Sequence, residues 1–183
     1  MQAQGTRPNI ITYNILLDGL CKNGCLEEAI KWLRIIQNEG VKIDHQTFSI
    51  LINGLCTTGK FEAALDIFND AMAKGFTPDV VIYTTIIKSL CEAGHVMRAS
   101  EMLIRMKKDK SPPNDLTFNI MVRGLLKKKE SLKAVHLAIE MRRSGFSADN
   151  NTLSMFVHML KTDKNGPQYI KMLPEFAPKD VGK

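Results

Sequence analysis

Residues 10–44 read IITYNILLDGLCKNGCLEEAIKWLRIIQNEGVKID, and residues 45–79 read HQTFSILINGLCTTGKFEAALDIFNDAMAKGFTPD. The two align without a gap, and residues 80–114 and 115–149 continue the pattern at the same 35-residue step. Leu20, Leu55, Leu90, Leu125 and Leu160 hold one phase, and Ala29, Ala64, Ala99 and Ala134 another. Gly24, Gly59 and Gly94 keep step with them, as do Cys21, Cys56 and Cys91. Self-similarity at a fixed period of roughly 20–50 residues marks a repeat architecture, in which each unit buries its apolar face only by stacking on its neighbours.

Within one unit the apolar spacing predicts two helices and a break. Tyr13, Leu16, Leu17 and Leu20 fall at i, i+3, i+4 and i+7, on one helical face. Asn23-Gly24 stops that helix, because glycine adopts the left-handed conformation that a helix end requires. A second helix is expected from Leu26 to Asn38, with Leu26, Ala29, Ile30 and Leu33 forming its stripe and Gly40 ending it. Gly75 and Gly145 repeat that stop, Lys110 replaces it in the third unit, and Pro78 and Pro113 block helix continuation before new units. The unit is therefore a helical hairpin. Alanine in the phase of Ala29 suits a close helix contact, and Tyr13, Phe48, Tyr83 and Phe118, in one phase, are expected in the core.

Composition narrows the function classes. The chain has 183 residues, 44% of them hydrophobic, and a net charge of +6 that is compatible with a polyanionic partner. No apolar run approaches the roughly 18 residues of a membrane span. Cys21, Cys56 and Cys91 recur at the repeat period rather than in close pairs, and no His or second pair completes a zinc set around Cys21 and Cys25. They are read as small buried residues of the first helices, in a reducing compartment. The sequon at Asn150 is then a chance match. His45, His95, His136 and His158 share no phase, and neither a nucleophile–base constellation nor a deaminase-like zinc motif occurs, so no catalysis and no cofactor are expected.

The units divide the chain into a remnant of a preceding second helix at 1–9, full repeats at 10–44, 45–79, 80–114 and 115–149, a half repeat at 150–161, and a C-terminal cap and tail at 162–183. Residues 1–9 have neither a signal-peptide nor a transit-peptide pattern, whereas Met1 and Gly5 are in phase with Ile36 and Gly40, so an array extending upstream is expected. The last segment predicts a short helix near 167–172 and a disordered end. Lys127, Lys128 and Lys129 form a basic cluster at the turn of the fourth unit, read as a solvated turn ahead of a phosphate site.

A 35-residue unit with T-Y-N near its start, G-L-C in the first helix and G-x-x-P-D at its end resembles the pentatricopeptide repeat, here in its pure 35-residue class. It is most similar to plant fertility-restorer-like organellar proteins. Residues 1 to about 161 carry the resemblance; GVKID, GFTPD and GFSAD are its endings. The tetratricopeptide pattern is absent. The resemblance implies an all-α, right-handed solenoid of hairpins whose first helices bind single-stranded RNA, one base per unit. It implies a monomer without membrane contact, acting in mitochondria or, second, in chloroplasts. The fifth and last residues of each unit would choose the base: Asn14 with Asp44, Ser49 with Asp79, Thr84 with Asn114, and Asn119 with Asp149. The second residue, Ile11, Gln46, Val81, Leu116 or Asn151, would wedge against it, with Gln46 and Asn151 departing from the usual aliphatic. Lys22 and Lys127 match the family's phosphate-contacting position, while Thr57 and Glu92 do not.

The chemistry of these side chains agrees. Aspartate only accepts and suits the ring N–H of uracil or guanine, whereas asparagine also donates and suits adenine or cytosine. Short Ser and Thr leave room for a purine, and Asn suits a pyrimidine, so the pairs read 5′-UGAU-3′. Helix capping by the same Asp and Asn residues is compatible with that role. A protein-binding helical scaffold is the alternative, and it requires no base logic in these residues.

Overall fold

The structure, a computed structural model, describes residues 8–173. It is built from helices, with no strand among the described residues. The first helices of the hairpins are α1 (Ile10–Lys22), α3 (His45–Thr57), α5 (Val80–Glu92), α7 (Asp115–Lys127) and α9 (Asn150–Thr162). The second helices are α2 (Leu26–Asn38), α4 (Phe61–Ala73), α6 (Val96–Lys108), α8 (Ser131–Arg143) and α10 (Gly166–Met172). Every helix from α1 to α9 is 13 residues long, so the sequence period is carried through to the backbone.

Local chemistry fixes both ends of these elements. Each first helix starts one residue after an Asn or Asp whose side chain accepts the N–H three residues on. The ends of α1 to α8 close through paired bonds from the residues just beyond the helix. After α2, for example, Gly40 N–H donates to Gln37 O and Val41 N–H to Ile36 O, with Gly40 at φ 70°. Lys110 and Lys129 take the same left-handed geometry, at φ 57° and 58°, without glycine's freedom.

The contacts divide the chain into two compact units, 1–89 and 90–183, the division falling within α5. In the first, α1 packs on α2 and α3, and α3 on α2 and α4. Ala29, Ala64, Phe68 and Tyr83 are wholly buried there, and the Phe68 and Tyr83 rings meet edge to face. In the second, α7 packs on α6, α8 and α9, and α10 on α8 and α9. Ala99, Met106 and Ala134 are wholly buried, with Phe118 nearly so. The four in-phase alanines and four in-phase aromatics thus lie in the core.

One close contact was not anticipated. A Cβ on Gly54 would lie 2.6 Å from both Cβ and Sγ of Cys21, and one on Gly124 would lie 2.7 Å from Cys91 Sγ. A cysteine of one first helix is therefore seated on a glycine of the next. Cys21 and Cys56 are buried as expected, but Cys91 is partly exposed.

The C-terminal end is more regular than the sequence suggests. The short helix is present, yet it begins at Gly166, 35 residues after Ser131 opens α8. α10 is thus an abbreviated second helix in phase with the others. Gly166 is needed there because a Cβ would lie 2.0 Å from the Leu160 carbonyl oxygen. Residues 1–7 of the expected helical remnant and the tail at 174–183 lie outside the described residues.

Candidate nucleic-acid interface

The last residue of each repeat is the N-cap of the next first helix, and capping determines which side-chain atom remains outside that bond. Asp44 Oδ1 accepts from the Thr47 N–H at 2.9 Å and its hydroxyl at 2.8 Å. Asp79 Oδ1 accepts from the Ile82 N–H at 2.9 Å, and Asp149 Oδ1 from the Thr152 N–H at 2.7 Å. Asn114 Oδ1 accepts from the Thr117 N–H at 3.0 Å and hydroxyl at 2.8 Å. A cap consumes one oxygen. What remains on an aspartate is Oδ2, an acceptor, and what remains on Asn114 is Nδ2, a donor. A free asparagine has both capacities; capping removes one and leaves two side chains of opposite hydrogen-bonding sign.

The fifth residues sit deeper than their expected role requires. Asn14 is 3% exposed; its Nδ2 donates to Asp44 Oδ1 at 3.2 Å and Oδ2 at 3.4 Å, and its Oδ1 lies 2.7 Å from Thr47 Oγ1, whose one proton it shares with Asp44. Asn119 is 4% exposed; its Oδ1 accepts from the Asp149 N–H at 2.9 Å and its Nδ2 donates to Asp115 O at 2.9 Å. Both asparagines spend their amides on the protein and fix the position of the following aspartate. Ser49 is half-buried, with its hydroxyl donating to His45 O at 2.8 Å, and Thr84 is buried.

In the second repeat the predicted groups meet. Ser49 and Asp79 line one cavity of about 340 Å³ with Val81, Asn53 and Asp18. Val81 is 69% exposed, and its counterparts Ile11 and Leu116 are 63% and 52% exposed. Large aliphatic side chains left in water two residues after a cap offer an apolar face for a flat ring. Gln46 and Asn151, in the same phase, are exposed but polar.

The cationic residues differ among repeats. Lys22 is exposed and pairs with Asp18 at 2.6 Å, and an exposed pair of this kind holds its partners weakly. Lys127 is exposed and lines a cavity of about 680 Å³ with Lys129 and His158, so the basic turn borders a recess. Arg123 donates from one guanidinium nitrogen to Asp149 Oδ2 at 2.6 Å and to Thr152 Oγ1 at 2.9 Å. No sequence signal pointed to Arg123, because its phase partners Asp18, Asn53, Lys88 and His158 share no chemistry.

Burial alone would raise the Asp44 and Asp149 carboxyls. The N–H and hydroxyl of the capped threonines, joined by Asn14 at Asp44 and by Arg123 at Asp149, more than offset it and hold both below the usual carboxylate range. Both are therefore anionic acceptors at neutral pH. Burial pushes the Cys56 thiol up to about 11 and the Cys91 thiol up to about 12, which keeps them protonated. Among the described residues, no group of three His, Cys, Asp or Glu could hold a metal ion, and no helix is long and apolar enough to cross a membrane.

Comparison with known proteins identifies this arrangement. No curated protein matches the chain in sequence. Among solved structures, the maize pentatricopeptide repeat protein PPR10 matches 96% of the chain with TM-score 0.68 and 23% identity. PPR10 in complex with an 18-nucleotide psaJ RNA element matches 97% with TM-score 0.73 and 19% identity; in both cases the chain spans 25% of the length of the maize protein. The PPR domain of Arabidopsis thaliana protein-only RNase P 1, in complex with tRNA, matches 87% of the chain and 84% of its own length, with TM-score 0.72 and 18% identity. These likenesses show the fold, an all-α helical-repeat solenoid. The model of the PPR repeat family matches residues 8–57 and 78–127, and that of the PPR repeat matches 46–76 and 116–146. Period, caps, fold and family models converge, and the chain belongs to the pentatricopeptide repeat family.

Proposed function

We propose that this chain binds single-stranded RNA with one base per repeat, and that its four full repeats prefer 5′-UGAU-3′. Support comes from the RNA-bound pentatricopeptide repeat structures of the same fold. The observation that carries the reading is the capping geometry. One oxygen of each repeat-closing side chain is tied to the next helix; the atom outside the cap is an acceptor on Asp44, Asp79 and Asp149, paired with Arg123 in the last case, and a donor on Asn114. The acceptor meets the ring N–H of uracil or guanine, and the donor meets the ring nitrogen of adenine or cytosine. Ser49 and Thr84 leave space for a purine, whereas Asn14 and Asn119 brace their aspartates beside a pyrimidine. Ile11, Val81 and Leu116 cover base faces, and Lys22 and Lys127 meet phosphates.

On this reading the chain acts by occupying RNA, in organellar RNA processing, stability or translation, with mitochondria the first compartment to examine and chloroplasts the second. The role contains no catalytic step. Fluorescence anisotropy with a short U-rich RNA bearing UGAU, at two salt concentrations, tests it. Stacking of about 1–3 kcal/mol per base before ordering costs predicts weak binding, and two phosphate lysines predict a shallow salt slope. Equal affinity for duplex DNA or for a scrambled RNA would refute the reading and leave the protein-binding scaffold.

A further inference from the structure

Asn14 with Asp44 and Asn119 with Asp149 are chemically the same pair, so a reader of these residues alone would assign both repeats the same base. Their surroundings differ. At Asp44, Oδ1 carries the cap and Oδ2 faces Asn14 Nδ2 at 3.4 Å; among the described residues no cation pairs with it. At Asp149 the second oxygen is held by a cation, where at Asp44 it accepts from a neutral amide. Oδ1 accepts from the Thr152 N–H at 2.7 Å, and Oδ2 lies 2.6 Å from the Arg123 guanidinium. Arg123 is further held by Thr152 Oγ1 at 2.9 Å, and its side chain is only 21% exposed against 47% for Asp149. The residue in the Arg123 position of the first repeat is Asp18, which cannot make this bond.

Resting on the base-reading proposal above, we infer that Arg123 masks Asp149 and makes the fourth repeat a weak discriminator of its base. The oxygen that would accept the uracil N3–H is already charge-paired. A base must displace a guanidinium held at two points, or bind beside it. The other guanidinium N–H groups suit ring acceptors such as N3 of cytosine, so the arginine narrows the difference between uracil and cytosine from both directions. A repeat assigned uracil by its fifth and last residues thus tolerates either pyrimidine, and Arg123 determines that tolerance.

The test uses the full chain and four RNAs carrying uracil or cytosine at the first or the fourth place of UGAU. In the wild type, preference for uracil over cytosine should be lower at the fourth place than at the first, by roughly fivefold for a partly exposed ion pair. Arg123→Gln should restore uracil preference at the fourth place and leave the first unchanged. The reciprocal Asp18→Arg should lower uracil preference at the first place and leave the fourth unchanged. Circular dichroism melts establish that the variants are folded. Asp79→Asn, assayed at the second place, separates the two readings. If it exchanges guanine for adenine while both uracil preferences are equal and neither variant moves them, masking is overturned and base reading stands. If Asp79→Asn changes no preference, base reading itself fails and masking falls with it.

Discussion

Replacing Asp79 by asparagine exchanges one atom at the presented edge and preserves the rest of the site. Asp79 caps α5 through Oδ1, 2.9 Å from the Ile82 N–H, and the amide oxygen of an asparagine there would keep that bond. Asparagine and aspartate are near-equivalent caps, and the lost charge at a helix N-terminus costs about 0.3–1 kcal/mol at low ionic strength. The fold should therefore survive with a small drop in Tm. The remaining atom changes from an oxygen that accepts to a nitrogen that donates. Against guanine the donor would face the N1–H, donor to donor; against adenine it would face the N1 lone pair. A correct base-edge contact discriminates by about 1–3 kcal/mol, so the guanine-to-adenine affinity ratio at the second place should move roughly ten- to a hundredfold. The assay is anisotropy of the full chain on four RNAs of the form UNAU at one fixed salt concentration. Asn114→Asp should produce the opposite exchange at the third place. A uniform loss of affinity over all four bases, with Tm retained, would show that these side chains cap helices without reading bases.

Packing and capping set three further outcomes. Gly54→Ala should lower stability by about 1–3 kcal/mol, because its Cβ would overlap Cys21, whereas Gly19→Ala, with nothing within 4 Å, should raise it by about 0.5–1 kcal/mol; thermal melts of the pair compare them. Lys110→Gly should stabilise the chain by roughly 0.5–1 kcal/mol, since φ 57° costs lysine strain that glycine lacks; denaturant titration measures it. Asp44 and Asp149 have lowered folded-state pKa values, so their contribution is complete above the unfolded carboxylate value of about 4 and is lost as pH falls through the folded values. Tm should hold steady from neutral pH to about 5 and fall below about 4, and Asp44→Asn, which keeps an acceptor for the cap but does not titrate, should make that fall shallower.

Period, hairpin and the ends of the first unit's helices could be read from the chain itself, although α1 begins at Ile10, ahead of its apolar face. These are properties of local chemistry repeated in phase: apolar faces at helical spacing, glycines at helix ends, and Asp or Asn at helix starts. Because the same device recurs, an exception such as Lys110 or Lys129 still fell into the left-handed position its phase required. The candidate interface residues were chosen through the family resemblance that the period exposed, and they remain a proposal. What those residues have left to offer was settled only by tertiary packing. Capping leaves an acceptor on aspartate and a donor on asparagine, and burial turns Asn14 and Asn119 into braces for their aspartates. The seat of Cys21 on Gly54 and the pairing of Arg123 with Asp149 join residues 33 and 26 positions apart. Neither is visible in a periodic pattern, because each depends on the distance between side chains of stacked helices. Arg123, moreover, occupies a phase in which every repeat carries a different residue.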